Sequence, residues 1–221
     1  WSSDVCSSDL ALHKVGSNNP DGVEIKKQKD ADGKPLDGIP FHPYYTVKDT
    51  FGVGVFLTVY LAIVFFLPEL GGWFLEKDNF APADILQTPP DIVPLWYLTP
   101  YYSILRAVTF EWLPGGAKLW GVIAMAAAIV IFFFLPWLDR SRVRSIRYRG
   151  WMYKTMLTLF AVTFVMLGYL GTKNPGHVDL IWFKNVTWAQ IGLVIYFAFF
   201  LLMPIYTRLD RTYPEPDRLT K

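Results

Sequence analysis

The chain has little of what disulfide frameworks and most metal sites require, since its 221 residues include one cysteine and three histidines. The single thiol, Cys6, excludes an intrachain disulfide and a cysteine-rich metal site. The sequence also lacks a glycine-rich phosphate loop, a serine–histidine–aspartate set and paired carboxylates. It therefore gives no sign of nucleotide, serine-hydrolase or thiol chemistry, and we expect no metal site in it.

Charged residues are missing from four long stretches, at 50–68, 119–138, 155–172 and 186–207. Each has about the length that a helix needs to cross a bilayer, roughly 17 to 25 residues. Each is apolar all round and does not alternate with polar residues, which favours helices over barrel strands. The sequence therefore predicts an all-α integral membrane protein with four transmembrane helices.

Basic residues distinguish the two sides of the predicted membrane. The segment 139–150 holds five arginines, and Lys or Arg is also frequent in 11–48 and after residue 207. The connections 69–118 and 173–185 hold only three and two basic residues. Because cytoplasmic loops carry the excess of Lys and Arg, we expect both chain ends in the cytoplasm of a bacterium and the loop 69–118 outside its inner membrane.

The long outer loop is rich in aromatic residues and prolines. Its segment 91–107, DIVPLWYLTPYYSILRA, combines two prolines with a tryptophan and three tyrosines. Proline stiffens the backbone and disfavours continuous helix, so we expect a short interfacial helix over 101–109. A rigid aromatic cavity at the lipid boundary fits a flat apolar ligand that arrives through the bilayer, although a segment that only anchors the fold has the same composition.

Four blocks of sequence follow one another along the chain: LHKVGSNNP at 12–20, IPFHPYYTVKD at 39–49, PLWYLTPYYSILRA at 94–107 and FFLPWLDRSRVRSIRYRG at 133–150. In order and spacing they resemble the cytochrome b family of ubiquinol–cytochrome c reductase, proteobacterial type. The resemblance covers residues 11 to about 210 and corresponds to the family's C-terminal half, with spans five to eight.

The composition of the chain and this resemblance together predict an organisation in four parts. Residues 1–10 look like non-native sequence, and residues 11–48 form a cytoplasmic polar segment with an inner quinone site. Residues 49–210 form the four-helix transmembrane domain, and residues 211–221 form a cytoplasmic tail.

The resemblance implies an outer site where quinol is oxidised. Carried over by position, its residues are Pro94, Leu95, Trp96, Tyr97, Tyr102 and Arg106. Where this chain has Leu95, the family usually has a glutamate that is thought to accept a quinol proton. Because leucine cannot bind a proton, the acceptor is left open between Asp91, Tyr102 and water, with Tyr102 as the catalytic candidate.

The resemblance also implies an inner site where quinone is reduced, with His13, Ser17, Phe41, Lys48 and Asp49. A quinone needs a hydrogen-bonding imidazole at one carbonyl and a carboxylate on the other side. His13 and Asp49 are the expected catalytic pair. Asp49 also fits a plainer role as the N-cap of the first span.

Histidine is missing from all four predicted spans, because the three histidines are His13, His42 and His177. The family holds two b haems with four histidines in its second and fourth spans. The resemblance therefore implies that both haems bind to a missing N-terminal half, and that this chain alone is inactive.

The implied partners are ubiquinone, a Rieske iron–sulfur protein, a c-type cytochrome, the N-terminal half of cytochrome b and membrane lipid, in a dimeric complex. The net charge of +2 gives no indication of a nucleic-acid partner. Two other functions stay open. Subunit four of a cytochrome b/f complex is a similar half but has three spans, and a non-enzymatic membrane module would not explain the four ordered blocks.

Overall fold

The computed structural model describes residues 19–25, 27–70, 82, 84, 86, 92–112 and 114–219. The elements of this described part are helices, together with an isolated bridge between Lys29 and Pro35. The chain divides into two compact units. The first comprises Trp1–Glu24 and Val93–Leu219, and the second comprises Ile25–Ile92 and Thr220–Lys221.

In the second unit, helix α1 runs over Tyr44–Phe66 and contains no buried residue. Its threonine hydroxyls bond back to the helix, Thr50 Oγ1 to the Thr46 carbonyl and Thr58 Oγ1 to the Gly54 carbonyl, both at 2.8 Å. Such internal bonding suits a helix surrounded by lipid, where water is not available to polar groups.

Helix α1 starts earlier than the charge-free stretch that predicted it. Its N-cap is Pro43, so Asp49 lies in the second turn, inside the helix. The interpretation of Asp49 as an N-cap is therefore wrong. The charged pair Lys48–Asp49 is part of the helical segment because a helix end near the membrane surface tolerates polar side chains.

The first unit contains the remaining helices. They are α2 (Thr99–Ala107), α3 (Gly116–Val130), α4 (Leu135–Leu138), α5 (Trp151–Gly171), α6 (Asn185–Leu201) and α7 (Met203–Leu209), with short 3₁₀ turns at Ile131–Phe134 and Ile146–Tyr148. The predicted short helix is confirmed in α2, although it begins and ends two residues before the expected 101–109.

Proline accounts for the two interrupted spans. Pro136 lies in the first turn of α4, where the second span tightens into 3₁₀ geometry before it continues to Leu138. Pro204 lies in the first turn of α7, and α6 and α7 meet at a bend of 58°. A proline lacks the N–H that a continuous helix needs and its ring crowds the preceding turn, so the fourth apolar stretch is a broken span.

An aromatic core joins α3, α5 and α6. Phe160 of α5 stacks on Phe199 with ring centres 4.5 Å apart and also contacts the rings of Tyr196 and Phe200. Tyr196 is fully buried, and its hydroxyl donates to the Ala128 carbonyl of α3 at 2.7 Å. The hydroxyl of this ring therefore has its hydrogen-bond acceptor inside the helix bundle.

Three helices in the described part are long and apolar enough to cross a membrane: Tyr44–Phe66, Gly116–Leu138 and Trp151–Gly171. Counting the bent pair α6–α7 as one span gives four. The fold class predicted from the sequence, an all-α protein with four transmembrane segments and a short helix in the connecting loop, is confirmed.

Candidate functional site

The short helix α2 packs against α3, α5 and α6. Its buried face consists of Thr99, Pro100, Ser103, Ile104 and Ala107, which recur at helical spacing. Pro100 in the first turn suits a helix start, because its missing N–H has no intrahelical partner there. The helix is therefore inserted between the ends of three neighbouring helices.

Two glycines allow α2 to come this close. A Cβ on Gly121 of α3 would lie 2.6 Å from the Leu105 carbonyl oxygen, and a Cβ on Gly171 of α5 would overlap the Thr99 carbonyl oxygen. Both obstacles are backbone atoms, so they cannot move without the whole helix. Small residues at helix contacts permit this type of backbone approach in membrane bundles.

Arg106 connects α2 to the end of α5. Its Nη2 donates to the Lys173 carbonyl at 2.7 Å and its Nη1 donates to the Gly171 carbonyl at 3.4 Å. The last carbonyls of a helix have no intrahelical donors, and a cation is favourable at that end. The guanidinium also lies 5.1 Å from the centre of the Tyr102 ring, which groups two of the predicted outer-site residues.

A turn in front of α2 presents the other predicted residues of the outer site. The Leu98 N–H donates to the Leu95 carbonyl at 2.8 Å, and the Thr99 hydroxyl donates to the Trp96 carbonyl at 2.7 Å. The rings of Trp96 and Tyr97 meet edge to face with centres 5.7 Å apart. The exposed fractions of Leu95, Trp96 and Tyr97 are 51%, 76% and 51%, while Pro94 is half-buried. The turn therefore holds two aromatic faces rigidly and outward.

Sequence reasoning missed two amides that hold this region together. Gln190 of α6 donates to the Ala107 carbonyl at 3.2 Å and to the Thr109 hydroxyl at 3.0 Å. The buried Asn185 donates to the Asn174 carbonyl at 2.8 Å and to the Asp179 carboxylate at 2.7 Å. The sequence contained one signal for these contacts, an uncharged amide within or beside an apolar stretch. Such an amide is buried with the stretch and needs hydrogen-bond partners there.

The residues predicted for the inner site are only partly described. Phe41, Lys48 and Asp49 belong to the second unit, where Phe41 stacks on Tyr45 and the Lys48 ammonium lies 5.5 Å from the centre of the Tyr45 ring. His13 and Ser17 lie outside the described residues, as does Asp91 near the outer site. Among the residues that are described, no group of three or more His, Cys, Asp or Glu side chains has the geometry to hold a metal ion.

This chain is similar to proteins of one family. A family described as "Cytochrome b(C-terminal)/b6/petD" matches residues 82–200. Cytochrome b of Allochromatium vinosum is 51% identical over 215 residues, which are 96% of this chain and 50% of that protein. Cytochrome b of Rhodospirillum rubrum is 44% identical over 207 residues, 93% of this chain and 45% of that protein.

A solved structure of a hyperthermophilic respiratory Complex III matches the fold with a TM-score of 0.74 at 34% identity. The match covers 93% of this chain and 47% of the matched chain. The chain thus spans about half the length of the relatives that it matches.

The contact between Gly171 and Thr99 predicts the effect of adding one methyl group. Gly171→Ala should lower the free energy of unfolding by about 1–3 kcal/mol, because the new Cβ overlaps backbone and α2 must shift. Gly168→Ala is the matched control in the same helix, since its Cβ would meet Pro100 at an ordinary 3.5 Å. Thermal unfolding in detergent measures both, and equal losses in the two variants would contradict the proposed packing.

Proposed function

Because this chain belongs to the cytochrome b family and matches its C-terminal domain, we propose that it contributes to two quinone sites of a cytochrome bc complex. In this proposal the outer site oxidises ubiquinol, the inner site reduces ubiquinone, and electrons from the outer site reach a c-type cytochrome through a Rieske protein. The observation that carries the proposal is the exposed aromatic turn fixed in front of the inserted helix α2, within the segment that the family shares.

The outer site is supported by the shape and chemistry of that turn. A quinol ring is flat and apolar with a polar oxygen at each end, so it suits aromatic faces beside a few polar groups. Trp96 and Tyr97 supply the faces, and Leu95 supplies apolar surface. Tyr102 is half-buried beside the Arg106 guanidinium and supplies a hydroxyl that both donates and accepts.

Leu95 determines which proton acceptors this site has. An aliphatic side chain cannot take a quinol proton, so the family's glutamate has no equivalent at this position. We propose the Tyr102 hydroxyl as the relay group, because it lies one helical turn into α2 and α2 is fixed by Arg106. Arg106 in turn acts as a positioning residue, since its hydrogen bonds go to backbone carbonyls at the end of α5.

The inner site is proposed from His13, Ser17, Phe41, Lys48 and Asp49. The exposed Asp49 carboxylate lies in the second turn of α1 with Lys48 beside it, and the Phe41–Tyr45 stack lies at the start of the same helix. This arrangement offers a carboxylate, a cation and an aromatic face at one end of a predicted span. In the proposed site His13 donates to one quinone carbonyl and Asp49 supplies the proton on the other side.

The b haems of the family do not fit the described residues of this chain. Its spans contain no histidine, and His42 lies just before α1 with its ring bonded to the Thr46 hydroxyl. We therefore assign no step to haem here. In the proposal, haem ligands come from the part of cytochrome b that the relatives have beyond this match, the chain alone is inactive, and the complex is dimeric.

We propose a bacterial inner membrane as the location, with both ends of the chain and the arginine-rich segment 139–150 in the cytoplasm. Compared with subunit four of a b/f complex, a cytochrome b origin is favoured by the fourth apolar span, α6 with α7, and by the names of the relatives.

Variants at the outer site test the role of Leu95. In the full-length subunit within its complex, Leu95→Ala should reduce quinol oxidation by less than about threefold, since an exposed side chain contributes little packing. Leu95→Glu should be tolerated and add the titration of a carboxyl group, whose ordinary pKa is roughly 4.3, to the pH profile. Tyr102→Leu should be worse than either, because it removes a ring and a hydroxyl.

The measurement is steady-state ubiquinol–cytochrome c activity across pH at equal haem content. An inactive Leu95→Ala variant together with an unaffected Tyr102→Leu variant would place the pocket elsewhere.

Variants at the inner site test the second half of the proposal. His13→Leu and Asp49→Asn should each slow reoxidation of the inner-side haem by quinone in the full-length complex, and leave outer-site quinol oxidation largely intact. Asp32→Asn is the matched control, because Asp32 is an exposed carboxylate of the same unit in a turn before α1. Normal reoxidation in both site variants would rule out this inner site.

A further inference from the structure

The connection between α5 and α6 closes an apolar groove on the first unit. Val162 and Met166 line the groove from α5, Trp188 lines it from α6, and residues 180–183 line it from the connection. Its volume is about 540 Å³, which lies within the range of small-molecule sites. Apart from two indole N–H groups, the lining side chains offer no nitrogen or oxygen for hydrogen bonding, so the groove suits an apolar ligand.

A strained turn forms one wall of the groove. The Phe183 N–H donates to the Ile181 carbonyl at 3.1 Å across the single residue Trp182, whose φ is +77°. A three-residue turn with a positive φ at its centre is rare and strained, and a bulky side chain there is an outlier. The turn leaves the Trp182 side chain 87% exposed. Strain of this kind persists only where the surrounding structure imposes it, and it concentrates at ligand sites.

Contacts with α6 hold this turn in place. The Ile181 carbonyl also accepts from Trp188 Nε1 at 3.2 Å, and the Phe183 ring meets the Trp188 ring edge to face with centres 5.9 Å apart. Asn185, the first residue of α6, exchanges two hydrogen bonds with Asp179, at 2.7 and 3.2 Å. These bonds fix the connection against α6 and keep the strained residue at the centre of the turn in position.

The position of the groove along the helices indicates a lipid ligand. It lies where α5, which is long and apolar enough to cross a membrane, connects to α6 of the bent span. Tryptophan concentrates at this level of a bilayer, because its ring has an apolar body and a polar N–H. The exposed Lys184 follows the strained turn directly, and an ammonium group at the membrane surface attracts the phosphate of a lipid head group.

Two other ligands fit this lining less well. A quinone carries an oxygen at each end of its ring and needs hydrogen-bond partners that these side chains do not supply. A transmembrane helix of another protein packs best against small residues, which let two backbones approach closely, whereas this lining consists of large side chains. A flexible acyl chain needs only apolar surface, and it adapts to an irregular groove.

We propose that this groove binds one acyl chain of a phospholipid, with the lipid phosphate near Lys184 and the Trp182 ring as one wall of the site. In the orientation proposed above, the lipid belongs to the outer leaflet. The inference requires only that α5 and α6 cross the membrane, so it does not depend on either quinone site. Contact with the lipid is the reason that a strained position keeps a tryptophan where glycine would be unstrained.

The test uses the full-length subunit within its complex, reconstituted with phosphatidylglycerol that carries a photoreactive diazirine in one acyl chain. After illumination, mass spectrometry of the digested complex locates the labelled residues. Labelling at 162–166 and 180–188 should saturate as the share of this lipid is raised, because a site fills. Labelling at the exposed rings of Ile131–Phe134, which lie outside the groove, should rise in proportion to the lipid.

Trp182→Gly separates lipid binding from folding. Glycine adopts a positive φ without steric cost, so the unfolding temperature in lipid-free detergent should stay the same or rise. Saturable labelling at 162–166 should fall by roughly threefold to tenfold, because a large aromatic wall is lost. Trp112→Gly is the matched control, since Trp112 is an exposed tryptophan of the same unit outside the groove. It should leave the labelling of the groove unchanged.

Two further variants leave the strained turn intact. Val162→Trp places a ring in the groove from α5 and should reduce saturable labelling at 180–183, because the acyl chain is displaced. Lys184→Gln removes the cation beside the groove. It should abolish the preference of the site for phosphatidylglycerol over phosphatidylcholine with the same chains.

Labelling that rises in proportion to the lipid at every exposed surface overturns the inference, as does density for a protein helix in the groove of the complex. Unchanged labelling of the groove in Val162→Trp overturns it too, whether or not Trp182→Gly lowers the unfolding temperature. None of these results bears on the quinone sites, whose variants are measured by quinol oxidation and haem reoxidation.

Discussion

The close approach of α2 to α3 and α5 is the constraint on which the first unit depends. Gly121 and Gly171 leave room for the carbonyl groups of Leu105 and Thr99, so the helix backbone itself lies in the groove between spans. Arg106 and Gln190 then use polar groups that this approach brings within reach. The aromatic turn at 95–97 leads directly into α2, so its position relative to the membrane spans follows from these contacts.

Two tyrosine hydroxyls of the same unit find their hydrogen-bond acceptors inside the helix bundle, as a membrane environment favours. The Tyr196 hydroxyl donates to a carbonyl of a neighbouring span, and the Tyr206 hydroxyl donates to the Phe199 carbonyl at 2.9 Å, close to the break at Pro204. A proline break removes a backbone donor from the helix. The Tyr206 hydroxyl supplies a donor to a carbonyl in the last turn of α6, close to that break.

The sequence predicted the parts of the fold that depend on local composition. Four charge-free stretches identified four apolar segments, and clustered prolines identified the short helix. The start of α1 was missed because Lys48 and Asp49 end the charge-free stretch but do not end the helix. The bend at Leu202 was missed because the hydropathy of a stretch does not show where a proline interrupts the helix. Contacts such as Arg147 with Asp21, separated by 126 positions, depend on tertiary structure and leave no local signal.

The arginine-rich segment 139–150 shows why charge counting describes topology better than it describes contacts. The rule for cytoplasmic loops counts each arginine equally, yet these arginines have different environments. Arg149 is buried, pairs with Asp139 at 2.6 Å and lies 4.1 Å from the centre of the Tyr153 ring, whereas Arg142 is exposed. A buried cation requires such partners, because removing one of them leaves an uncompensated charge. On the proposed cytoplasmic face, some of the arginines that predict the orientation of the chain therefore also connect its spans, its tail and its N-terminal segment.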